Sequence, residues 1–149
     1  MKKILFSSML IVSCLAFGQK VKFKNDIVFI DNVETFHYEK AGENLIIYTL
    51  KDKDFISIVY NFYEEKNPAR FNGNDPNAFR YPAYIKKRIS TVKFLKIEKE
   101  MNTSMSDKDL MIKLSKSDLI DENGNLKEDN VDIFINKYSN EKLEYKLLK

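Results

Sequence analysis

The sequence predicts an α+β fold: an antiparallel β-meander of about five to six strands, followed by two C-terminal α-helices packed on or beside the sheet. Three observations lead there. Between Val21 and about Glu100, short runs of β-branched and aromatic residues alternate with turn residues. After Met101 the apolar spacing changes from a period of two to a helical one. Strands first and helices afterwards is the α+β order, and short connections make sequence neighbours into sheet neighbours.

Taken in order, Val21-Lys22-Phe23 and Ile27 to Ile30 supply the first two runs, and Asp31-Asn32 reads as a tight hairpin turn because both residue types tolerate a left-handed backbone. The run from Val33 to Glu39 places Phe36 and Tyr38 on one face, with Thr35, His37 and Glu39 on the other. Ala41 to Asn44 is the next turn, Leu45 to Leu50 the next run, and Lys51 to Asp54 a charged turn. Phe55 to Tyr63 then alternates across the pleat. Between Tyr84 and Glu98 the β character returns with a change of phase. Ile85 and Ile89 share one parity, Val92 and Phe94 the other, which implies a bulge or a turn near Ser90-Thr91.

The helical part begins at Ser106, a capping residue with Asp107 and Asp109 in the first turn, where carboxylates favour the positive end. Leu110, Met111 and Leu114 form its inner face, and the helix is expected to end near Ile120. Asp129 or Asn130 can cap a second helix, with Val131, Phe134, Ile135 and Tyr138 inward. The tail from Lys142 to Lys149 fits a final strand or a helical end. No internal repeat and no inter-domain linker is visible, so residues 19–149 read as a single globular α+β domain.

Residues 1–18 read as a bacterial-type signal peptide. Lys2 and Lys3 precede an uncharged apolar stretch too short to anchor permanently in a bilayer, and Ala16 and Gly18 suit a cut before Gln19. The same region holds a second reading. Ile11-Val12-Ser13-Cys14 resembles a lipobox, which implies lipidation at Cys14 and a membrane-anchored lipoprotein. Cleavage after Gly18 is the expectation, because the apolar run continues past Cys14 where a lipoprotein has a polar tether. The mature chain is then periplasmic or secreted, with no transmembrane helix, and touches a membrane only if Cys14 is acylated. It has no cysteine, so its core alone must hold it together.

Charge points away from nucleic acid. Without Lys2 and Lys3 the chain keeps 23 of its 25 basic residues against 22 acidic, a net of +1, whereas nucleic-acid binders carry a marked basic excess. Metal and cofactor sites are not expected. Asp121-Glu122-Asn123-Gly124-Asn125 resembles a calcium loop superficially, but counting from Asp121 puts Leu126 where the loop needs glycine. His37 is the only histidine, there is no nucleophile elbow and no Gly-rich phosphate loop, so no catalytic residue is assigned. A carboxylate-dependent hydrolase remains the alternative, with Glu64 and Glu65 beside the long loop as its candidates.

That loop, residues 64–82, holds all three prolines and the Asn72-Gly73-Asn74-Asp75 run. Connections of this length tend to be functional or disordered. The three arginines, Arg70, Arg80 and Arg88, fall in it or just after it, interleaved with Phe71, Phe79, Tyr81 and Tyr84. Arg70, Phe71, Arg80, Tyr81 and Tyr84 are therefore the candidate binding residues, since arginine with aromatics is typical of interface hot spots. The plainer expectation is that the aromatics anchor the loop on the sheet and leave the arginines at its rim. Function is read as a non-catalytic binding or structural module of the cell envelope, its partner an unidentified protein or glycan.

Overall fold

The computed structural model describes residues 18–140. Residues 1–17 of the expected signal peptide, Cys14 among them, and the tail from Lys142 to Lys149 lie outside the described residues. Seven strands form one antiparallel sheet in sequence order: β1 (Val21–Lys24), β2 (Ile27–Ile30), β3 (Val33–Ala41), β4 (Asn44–Tyr48), β5 (Asp54–Lys66), β6 (Tyr84–Phe94) and β7 (Lys99–Thr103). Two helices follow, α1 (Asp107–Lys116) and α2 (Glu128–Tyr138). The fold is α+β, with a meander one strand longer than the sequence predicts.

The extra strand comes from the stretch after Tyr84. The β5–β6 register runs without a shift from Lys66↔Tyr84 to Ile56↔Phe94, so there is neither bulge nor turn at Ser90-Thr91. Ile85 and Ile89 simply face the side of the sheet opposite to Val92 and Phe94. The chain reverses later, where Lys96 and Glu98 take φ of 74° and 52°. Neither is a residue type that signals a left-handed backbone, which hides this turn from the sequence. Asp31 and Asn32 do adopt the left-handed conformation at 53° and 67°, and Asn25 and Asp26 do the same at 51° and 60°.

One face of the sheet is buried. Val28, Ile30, Phe36, Leu45, Ile47, Ile56, Ile58, Val92, Phe94 and Met101 meet Leu110, Met111 and Leu114 of α1 and Val131 and Phe134 of α2. Helix α1 touches β1 and α2 touches β7. Ser106 caps α1, its Oγ accepting from the Asp109 N–H at 3.2 Å. The helix stops at Lys116, short of Ile120, because Asp118 turns left-handed (φ 48°) and swings Leu119 into the core. Helix α2 starts from Lys127 rather than from Asp129 or Asn130. Asp129 lies in its first turn, and Asn130 Nδ2 instead donates to the Asp118 carbonyl at 2.7 Å. Lys99 fastens α2 to β7 through Asp132 (2.7 Å) and Glu128 (2.9 Å), and the Asp132 hydrogen bond, then that of Glu128, raises the amine's pKa.

The Asp121–Asn125 segment is a tight turn between the helices. Asp121 Oδ1 accepts from the N–H groups of Asn123 (2.9 Å) and Asn125 (2.8 Å), and the bond from Asn125 is the main cause holding its carboxyl below the usual range. A bridge between Ile120 and Leu126 closes the turn, and Lys51 Nζ donates to the Glu122 carbonyl. Among the described residues no group of three or more histidine, cysteine or acidic side chains is disposed to hold a metal ion, and no helix is long and apolar enough to cross a membrane.

Candidate functional site

Strands β5 and β6 are longer than the sheet that contains them. Pairing of β4 with β5 ends at Leu45↔Ile58, and pairing of β7 with β6 ends at Ser90↔Thr103. The β5–β6 ladder nevertheless continues through six further pairs, from Asn61↔Ile89 to Lys66↔Tyr84. Over these pairs neither outer edge has a strand partner among the described residues. At about 3.4 Å per residue this makes a two-stranded arm on the order of 20 Å long. Residues 67–83 form a crown at its far end.

Isolated hairpins are marginally stable in water, so the arm needs supports. At its root, Asp107 of α1 accepts from the Tyr60 hydroxyl at 3.0 Å and pairs with Arg88 Nη2 at 3.3 Å. The Arg88 guanidinium also lies 4.9 Å over the Tyr60 ring. Burial, reinforced by the Asp107 charge and hydrogen bond, pushes the Tyr60 phenol well above its ordinary range. Midway along the same face, Lys86 Nζ sits 4.3 Å above the Phe62 ring. Ser90, where arm meets body, is buried at 2% exposure, and its Oγ has no hydrogen-bond partner.

The crown is a chain of tight turns set by its own sequence. Asn67 is buried and closes the neck, its N–H donating to the Ala83 carbonyl (2.9 Å) and its Nδ2 to the Pro82 carbonyl (3.0 Å). Asn67-Pro68-Ala69-Arg70 and Asp75-Pro76-Asn77-Ala78 are turns with proline second, closed by the Arg70 N–H to Asn67 (3.1 Å) and the Ala78 N–H to Asp75 (3.0 Å). The Asn67 and Asp75 side chains reinforce them by accepting from the Ala69 (3.1 Å) and Asn77 (2.8 Å) N–H groups. A single 3-10 turn, Ala78–Arg80, completes the crown.

The aromatic residues do not fold this crown onto the sheet. Phe71 is 60% exposed, Phe79 66%, Tyr84 53% and Tyr81 43%. With Phe62, they make five of the eight large apolar side chains exposed among the described residues; the others are Val33, Leu50 and Ile133. The arginines divide by role. Arg80 is exposed, its guanidinium 5.7 Å from the Phe79 ring centre. Arg70 is half-buried and donates from Nη1 to the Ala78 carbonyl at 3.4 Å, so it braces the crown. Arg88 is held at the root. Of the residues singled out in the sequence, Phe71, Arg80, Tyr81 and Tyr84 stand in solvent on the crown or beside it, and Arg70 supports them from within.

The arm also differs from the body in charge. Between Asn61 and Ile89 there are six basic residues (Lys66, Arg70, Arg80, Lys86, Lys87, Arg88) and three acidic ones (Glu64, Glu65, Asp75). Glu64 and Glu65 are consecutive on β5, both exposed, so they point to opposite faces. They do not converge on a substrate as a catalytic carboxylate pair must.

A concavity lies on the body, a shallow groove of about 520 Å³ lined by Asn25, Asp26, Ile27, His37, Tyr38, Glu39 and Tyr48. His37 Nδ1 is 2.6 Å from Asp52 Oδ1, and the Tyr48 hydroxyl donates to Glu39 at 3.1 Å, which is the main cause raising that phenol's pKa. The histidine–aspartate contact needed the β4–β5 turn to fold over β3, which residue spacing does not reveal. The lining contains no serine, threonine or cysteine for the histidine to activate, and the Asp52 side chain is 79% exposed. Comparison with protein-family models, with curated proteins and with solved structures found no match for this chain.

Proposed function

We propose that this chain is an exported, non-catalytic binding domain of the bacterial cell envelope that engages its partner through the crown of the β5–β6 arm. The observation that carries this reading is the concentration of exposed aromatic side chains on one projecting, internally braced hairpin. Contiguous exposed apolar patches on otherwise well-packed domains mark interaction sites. The crown holds its shape through its own turns, so the aromatic side chains are presented with little ordering cost on contact. Export is supported by the N-terminal pattern of Lys2, Lys3 and the apolar run that follows. Cleavage after Gly18 releases the domain into the periplasm or the medium, and acylation of Cys14 tethers it as a lipoprotein. The intact mass of the protein from its native cells separates these two outcomes.

The binding reading is tested by retention on isolated cell envelopes. Phe79→Ala combined with Arg80→Ala is expected to abolish retention and leave the melting temperature within a few degrees, since exposed substitutions cost under about 0.5 kcal/mol. Full retention by that variant overturns the reading. So does turnover of a glycan or peptide substrate that is lost in Glu64→Gln or Glu65→Gln.

A further inference from the structure

We infer that the partner of the arm is an anionic phospholipid surface, with the crown entering the headgroup region of the bilayer. The inference rests on the binding reading above, and replaces the protein or glycan partner expected from the sequence by a lipid one. The order of side chains along the arm carries it. Beyond the last ladder pair, on the crown, stand Phe71, Phe79 and Tyr81, more than two-fifths exposed, with Arg80 among them. Behind them, at the crown's neck, come Tyr84 and Lys66, then Lys86 and Lys87 with Glu65 and Glu64 on the facing strand. Behind those are Arg88 and Asp107, already tied to the body.

A bilayer presents the complementary order. Approached from water, anionic phosphates come first and hydrocarbon after, with aromatic rings favoured at the boundary. An apolar tip followed by a collar in which Lys66, Lys86 and Lys87 outnumber Glu64 and Glu65 satisfies both layers at once. The spacing also fits. Lys86 lies two residues behind Tyr84, about 7 Å along the strand, and interfacial segments bury their apolar side about 5–10 Å deep. Crown acidity is low, Asp75 being the one acidic residue between Asn67 and Ala83. A protein partner requires no such ordering, and aromatic anchors in protein interfaces fill pockets on the other side. A convex, isolated hairpin tip suits a surface that parts around it.

The test uses the domain from Gly18 onward, which contains the whole sheet, both helices and their shared core, and lacks Cys14 and the apolar leader. The chain has no tryptophan, so Phe79→Trp gives a single fluorescent reporter at the tip. The probes are vesicles of phosphatidylcholine alone and vesicles of equal parts phosphatidylcholine and phosphatidylglycerol. The expected result is co-sedimentation with the phosphatidylglycerol vesicles, a blue shift of the reporter's emission, and its quenching by lipids brominated on their acyl chains. Phe71→Ala should weaken sedimentation. Lys86→Gln and Lys87→Gln should each weaken it about fivefold, and high salt should mimic both together. Absence of sedimentation with phosphatidylglycerol vesicles, equal binding to phosphatidylcholine alone, or sedimentation without a blue shift overturns the lipid assignment. Retention on delipidated envelopes then decides the broader reading: arm-dependent retention keeps the arm as a binding device for a protein or glycan, and none removes both.

Discussion

The same two strands run from the buried core of this molecule into its exposed arm. In the body, β5 and β6 pair Ile56 with Phe94 and Ile58 with Val92, side chains at most 1% exposed. A few residues on, the identical ladder pairs Phe62 with Arg88, Glu64 with Lys86 and Lys66 with Tyr84, all in solvent. Backbone geometry does not change between the two. What changes is the company: β4 and β7 flank the first stretch and helices cover it, while among the described residues the second has no flanking strand and meets α1 at its root, through Asp107. The ladder sets the strand, and its neighbours decide whether that strand is core or surface. Along the arm, cross-strand contacts and the Asp107 cluster take over the role that burial plays in the body.

This contrast can be broken by substitution. The largest effect is expected from Phe94→Ala, which empties the site where Phe94 meets Phe134 at 6.1 Å and should cost about 3–5 kcal/mol in denaturant unfolding. Next comes the root. Asp107→Ala removes the acceptor for Tyr60 and the partner of Arg88, and is expected to cost about 1–2 kcal/mol. Hydrogen exchange should then quicken selectively in the amides of residues 61–66 if the arm is held there, and uniformly if it is not. The root also responds to base. Folding raises the Tyr60 pKa above its ordinary 10.0, so the neutral phenol contributes stability that is complete below that value and is lost as pH rises beyond it. Tyr60→Phe should flatten this alkaline loss of melting temperature.

A smaller effect, of opposite sign, is expected at the junction. Ser90→Ala removes a buried hydroxyl that has no hydrogen-bond partner, and should raise stability by about 1 kcal/mol in thermal unfolding. Smallest of all is Phe79→Ala on the crown, within about 0.5 kcal/mol of the parent. A cost near that of Phe94→Ala would make the crown a part of the core and end the comparison.

The difference between the two regions also explains how much could be read in advance. Turns at Asp31-Asn32 and the cap at Ser106 are written in residue types that prefer those conformations, and both form. The turn through Lys96 and Glu98 is imposed by the strands it joins, so residue type carries no trace of it. Asp129 and Asn130 looked like caps but lie inside the helix, which starts from Lys127, its N–H donating to the Leu119 carbonyl at 2.8 Å. The unusual composition of the crown was legible. That it rides on a hairpin outrunning its sheet was not, since the length of a strand's neighbours is not encoded in the strand itself. The phase change on β6 was its trace, Ile85 and Ile89 lying on the face opposite to Val92 and Phe94.

The placement of the two helices has a consequence for how the chain matures. Each of the seven described strands pairs with its sequence neighbours, so the sheet can zip from one end as the polypeptide lengthens, with little loop entropy at each step. Yet the lid over its apolar face comes from Leu110, Met111, Leu114, Leu119, Val131 and Phe134, all beyond residue 106. The α1–β1 contact joins the first helix to the first strand, across the length of the sheet's sequence. A nascent or truncated chain ending before Ser106 therefore carries a finished hairpin array with a bare greasy side. Until the C-terminal third arrives, that side is open to non-native association.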